Sequence, residues 1–126
     1  MGGFLPVPGQ TVYGASKAAV KLLTEALWTE LRETNIGVSV VMPGGVSTDI
    51  TTNSGVDMPA GADADQSKFP MTTPHDAAKQ IIAGIEKNRL HVYVGKDSKA
   101  MGALVRLAPK QAAKLIQRQM KDLLQR

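Results

Sequence analysis

Apolar residues recur at Ala15, Ala18, Ala19, Leu22, Leu23, Ala26, Leu27 and Leu31. Steps of three and four place them along one side of a helix, and Asn35 and Gly37 supply a stop signal behind it. Val38 to Met42 is then a short, mostly β-branched apolar run without regular polar alternation. That is the pattern of a strand buried on both faces, and Pro43-Gly44-Gly45 ends it. Thr73-Pro74-His75-Asp76 offers a capping hydroxyl followed by a first-turn proline. It predicts a second helix whose buried face is Ala77, Ala78, Ile81, Ile82 and Ile85. Leu90 to Val94 reads as a second strand, closed by Gly95. Two further helices are predicted near 97–108 and 110–125, separated by Pro109. From Lys110 to Gln125, Ala112, Ala113, Ile116, Met120, Leu123 and Leu124 fall to one side, with Lys114, Arg118 and Lys121 toward the other, an amphipathic pattern.

The order helix, strand, helix, strand, helix, helix predicts an α/β fold with a parallel sheet and crossover helices. Only two strands are evident, and a strand as apolar as Val38 to Met42 needs paired neighbours and covered faces. The chain therefore reads as part of a larger sheet, incomplete on its own. No repeat and no interdomain linker interrupts it, so residues 1–126 form one partial domain. Between Gly45 and Thr73 the chain is rich in Gly, Ser, Thr, Asp and Pro, and loops of that length in compact domains are commonly functional.

Composition narrows the classes. At 126 residues and 43% hydrophobic content the chain suits one modest domain. It has no cysteine, which excludes disulfides and thiolate metal sites. Its two histidines, His75 and His91, lack ligand spacing, so no structural metal is expected. His75 is expected to be solvated and His91 to be a satisfied sheet residue. Met1 to Pro8 has neither a basic region nor a long apolar one, and no later run approaches the ~18 apolar residues of a membrane span. Pro6 occupies the place where a myristoylation signal wants Ser or Thr. A cytoplasmic location is the expectation. The net charge of +4 is uneven: through Val94 there are seven Lys/Arg against nine Asp/Glu, and from Gly95 on eight against two. A basic helical tail (96–126) is most often a solvated face. It is expected to pack on its own domain or mediate oligomerisation in preference to a membrane surface, and no nucleic-acid partner is expected.

The chemistry-bearing feature is Tyr13-Gly14-Ala15-Ser16-Lys17. Residues i and i+4 share a helix face, so Lys17 can stand beside Tyr13. A free phenol has a pKa of about 10, and a neighbouring cation favours its phenolate, suiting it to general acid–base work. Ser16, rotated from that edge by roughly 60 to 100 degrees, is expected to serve packing. Standing alone, Tyr13 could equally be a boundary tyrosine holding one hydrogen bond, and Thr48 and Ser47 could cap a turn.

Taken together, these residues resemble the second half of the single Rossmann-type domain of the short-chain dehydrogenase/reductase family. Tyr13 to Lys17 open a long helix, a buried strand follows, and Pro43-Gly44-Gly45-Val46-Ser47-Thr48 matches the family's P-G-x-V-x-T. The likeness covers nearly the whole chain. It implies an NAD- or NADP-dependent oxidoreductase moving a hydride between the nicotinamide and a carbonyl/alcohol carbon of a small-molecule substrate. Tyr13 would be the general acid/base, while Lys17 would bind the nicotinamide ribose and tune the tyrosine. Pro43, Gly44 and the backbone near Val46 would border the nicotinamide, and Thr48 would hydrogen-bond its carboxamide or the phosphates. Residues 45–73 would form the substrate-binding loop. The family's catalytic serine lies about 13 residues before the tyrosine, which falls just ahead of Met1. The glycine-rich coenzyme turn, the residue selecting NAD or NADP, the Asn-Ala-Gly strand end and the relay asparagine have no counterpart here. The 126 residues alone are therefore expected to be inactive, and the alternative is a truncated homologue that retains oligomerisation surfaces or pairs with a full-length relative.

Overall fold

Two short parallel strands organise the chain. The computed structural model describes residues 1–48 and 71–121, in the order α1 (Thr11–Glu30), β1 (Val40–Pro43), α2 (Pro74–Glu86), β2 (His91–Val94), α3 (Lys96–Leu107) and α4 (Pro109–Gln119). The Val40 amide donates to Leu90 O at 2.8 Å and the Gly44 amide to Val94 O at 2.9 Å, bracketing a parallel register of Val40 with His91 through Pro43 with Val94. Among the described residues this is an α/β architecture with a parallel two-stranded sheet and four helices.

The first strand starts two residues later than its apolar run suggests. Ser39 turns its hydroxyl onto Arg89 O at 2.8 Å, which holds Val38 and Ser39 beside the end of the neighbouring strand instead of within the ladder. Pro43, placed by the sequence in the terminating turn, is the last strand residue, a position that tolerates its missing N–H. Nor is β1 uniformly buried: Val40 and Met42 are enclosed, Val41 half-buried.

Strand alternation sorts the packing. Val92 and Val94 point to one face, where Ala77 of α2 completes the core and Val41, Val46 and Ile81 pack against it. His91 and Tyr93 point to the other. There Phe4 meets the Tyr93 ring edge-on at 6.0 Å, Tyr93 lies under Gly102 of α3, and His91 Nε2 approaches Glu25 Oε1 of α1 at 2.6 Å. The sheet thus carries α2 on one side and α1 and α3 on the other. Ser98, fully buried, donates its hydroxyl to Met42 O at 2.6 Å and fastens α3 to β1.

The predicted buried face of α2 is corrected. Ala77 and Gly84 are buried and Ile81 half-buried, whereas Ala78, Ile82 and Ile85 are exposed, because two strands offer α2 only a narrow floor. The same shortage leaves α1 without a single buried residue; Val12, Leu22 and Leu23 are 84%, 68% and 62% exposed. In α4, Ala112 and Ile116 are buried while Ala113 is exposed; Leu123 and Leu124 lie outside the described residues. Thr73 caps α2 as its sequence predicts, accepting from the Asp76 amide at 3.1 Å. His75 is exposed. No helix among the described residues is long and apolar enough to cross a membrane.

Three outcomes follow for stability. A Cβ at Gly84 would sit 2.5 Å from Val92 Cγ2, so Gly84→Ala should lower unfolding free energy by about 1–3 kcal/mol. Ile85→Ala, at an exposed position, should change it by less than about 0.5 kcal/mol; urea denaturation distinguishes the two. Lys21, at 2.7 Å, holds the Glu25 carboxyl below its ordinary value of 4.5, with burial opposing it and His91 adding a smaller effect in the same direction as Lys21. The stabilisation is complete above that ordinary value and disappears as pH falls through the lower folded-state value. Glu25→Gln should therefore be less stable than the unsubstituted chain at neutral pH, with the gap closing under acid in parallel denaturation series.

Candidate active site

Tyr13 stands in the first turn of α1, which begins at Thr11 without a side-chain cap. Lys17 follows one turn later, its Nζ 5.5 Å from the centre of the Tyr13 ring. Both are exposed, Tyr13 by 53%. Ser16 does not pack as expected. Its hydroxyl faces solvent and donates to Tyr13 O at 2.7 Å, an exchange that is open to a serine inside a helix.

The N-terminal segment reaches this edge through close backbone approach. A Cβ on Gly3 would meet Lys17 O at 2.8 Å, and one on Gly2 would meet the Tyr13 ring at 2.6 Å. The Met1 ammonium donates to Pro43 O. Burial holds that ammonium below its ordinary value of 8.0, with Asp97 acting in the opposite sense. Residues 1–4, α1 and β1 together enclose a cavity of about 330 Å³, whose walls include Tyr13, Lys17, Met42 and Pro43. The proposed acid/base pair and the carboxyl end of β1 therefore face one space, the end of an α/β sheet where ligands collect.

The other predicted residues lie behind that wall. Gly44 donates its amide to Val94 O at 2.9 Å. Gly45 O accepts from Thr72 N at 2.9 Å, and the Ser47 amide donates to Thr72 O at 3.0 Å, pairing Val46 with Thr72 in an isolated parallel bridge. Val46 turns its side chain into the core beside Val94. Val46 is thus a packing residue whose backbone is tied, and Thr48 is exposed. Neither is a wall of the cavity. Most of the predicted substrate loop, residues 49–70, falls outside the described residues.

One residue escaped sequence reasoning. Asp97, in the first turn of α3, accepts the Gly45 amide on Oδ2 at 2.8 Å. Its second oxygen, Oδ1, is buried without a hydrogen-bond partner among the described residues. The only sequence signal is an acidic residue at a helix start, which says nothing about a target 52 positions away.

A family model described as short chain dehydrogenase matches residues 1–59, the stretch holding Tyr13, Lys17 and Pro43 to Thr48. The chain is 35% identical over 111 residues to a Mycobacterium tuberculosis protein provisionally named oxidoreductase SadH; the match covers 83% of this chain and 40% of that protein. It is 32% identical over 100 residues to the uncharacterised oxidoreductase YbbO of Escherichia coli, covering 77% of this chain and 34% of that protein. A short-chain type dehydrogenase/reductase of Picea abies is 48% identical over 46 residues, 36% of this chain and 17% of that protein. No solved structure matches. The chain thus spans less than half the length of these relatives, yet the match reaches from the tyrosine pair to the closing turn of the first strand, and the chain belongs to the short-chain dehydrogenase/reductase family.

Proposed function

We propose that this chain is the C-terminal portion of an NAD- or NADP-dependent oxidoreductase acting on a carbonyl/alcohol substrate. The observation that carries the reading is the shared cavity: Tyr13 and Lys17 on α1 face the Pro43 end of β1 across it. Tyr13 donates its phenolic proton to a carbonyl oxygen in reduction and takes it back from the alcohol in oxidation. Lys17, one turn along, places an ammonium beside the ring, where it hydrogen-bonds the ribose of the coenzyme. A nicotinamide, when bound, supplies or receives the hydride. The cavity walls suit that end of a dinucleotide: small N-terminal glycines, an apolar floor of Val40 and Met42, and the lysines Lys17 and Lys21. Pyrophosphate binding requires a glycine-rich strand-to-helix turn, and the sequence from Met1 to Arg126 contains none. Coenzyme binding and turnover accordingly need the preceding half of a family domain. Thr48, exposed at the far side of the turn, is assigned to the carboxamide or the phosphates.

A second reading is favoured by α1, whose apolar residues Val12, Val20, Leu22 and Leu23 are more than half exposed. On that reading the chain is a non-enzymatic relative that associates with itself or with a full-length member through α1 and the basic C-terminal helices.

Fluorescence titration of the isolated chain with NADH and NADPH should show no saturable binding; clear micromolar binding would refute the need for an upstream half. In a complete enzyme, made by placing the preceding segment of the M. tuberculosis relative ahead of this chain, Tyr13→Phe should lower kcat by at least ~10²-fold. Turnover unchanged by that substitution would favour the non-enzymatic reading.

A further inference from the structure

We infer that Asp97 is a positioning residue that sets the backbone of the Gly44-Gly45 turn, and through it the wall against which the nicotinamide lies. The inference rests on the reading of Pro43 to Thr48 as the coenzyme-facing turn. Three features of the geometry point to it. The Asp97 carboxylate accepts the Gly45 amide at 2.8 Å, a charge-assisted bond on a half-buried group. A Cβ at Gly44 would overlap that same carboxylate, and one at Gly95 would meet it as well as Thr72 Oγ1 at 2.8 Å, so the surrounding backbone is shaped to admit the acid. Gly95, at φ 90°, makes the turn from β2 into α3 that delivers Asp97 there.

The neighbouring side chain adds a second fastening. Ser98 donates to Met42 O, one residue before Pro43, so the first turn of α3 holds the end of β1 from both sides of the proline. Thr72 grips the turn from the opposite direction through Gly45 O. The nearby Met1 ammonium binds Pro43 O. Asp97 Oδ1 thus remains free among the described residues. The carboxylate is held in place by packing, by one amide and by the charge of the nearby Met1 ammonium.

Amide hydrogen exchange followed by NMR on the 126-residue chain tests the grip without coenzyme. Asp97→Ala should speed exchange at Gly45 by about tenfold or more, the loss of one charge-assisted bond. Asp97→Asn, which keeps an acceptor oxygen but not the charge, should fall between. Exchange at Val92 and Val94 should stay within about twofold of the unsubstituted chain, marking a local effect. In the complete enzyme Asp97→Ala should raise the coenzyme KM about tenfold while kcat changes less than about threefold. The inference is overturned by unaltered Gly45 exchange in Asp97→Ala, by an equal rise at Val92 and Val94, by a Gly45 amide already unprotected in the unsubstituted chain, or by an unchanged coenzyme KM. Failure of Tyr13→Phe to lower turnover would instead sink the catalytic reading and leave the exchange result standing.

Discussion

The parallel pairing of Val40–Pro43 with His91–Val94 is the constraint on which the described structure depends. Parallel strands present evenly spaced, slanted bonds and must be covered on both faces. The pairing brings the end of β1 level with the end of β2, and so places Gly44 and Gly45 against the start of α3. It also sets Val92 and Val94 toward α2 and His91 and Tyr93 toward α1 and α3. The contacts of Asp97 and Ser98 with the end of β1 descend from this register. A slip by one residue would exchange the two faces of the strand and turn His91 away from Glu25.

A two-stranded sheet is also a narrow floor, and the helices record its width. Ala77 and Gly84 are small enough for α2 to lie directly on Val92, while Ile82 and Ile85 extend beyond the sheet. Helix α1 reaches β1 mainly through the glycine-rich N-terminal segment and reaches β2 through Glu25. Its apolar residues have the spacing of a buried helix, yet none is buried among the described residues.

That mismatch explains what was legible in the sequence. Helix and strand identity came from periodicity, and Thr73, Pro109 and Gly95 announced their boundaries through chemistry local to each. The Tyr13/Lys17 pair was legible because four residues of helix spacing suffice to bring them together. Burial was less so: Ile82 and Ile85 carry the right pattern, but their exposure depends on how many strands surround them, a property of the assembled sheet. Ser39 misled because its hydroxyl finds a carbonyl fifty positions away. Asp97 was invisible for the same reason. Its partner is set by strand register and by the turn at Gly95, and neither is written in the residues flanking it.

The Glu25–His91 contact gives α1 a fulcrum. Tyr13 lies twelve residues from Glu25, or about 18 Å along a helix rising 1.5 Å per residue. A pivot of only about 5° at that point would carry the tyrosine by roughly 1.6 Å. A single side-chain contact on the flank of the sheet therefore helps set the direction in which the far end of α1 points.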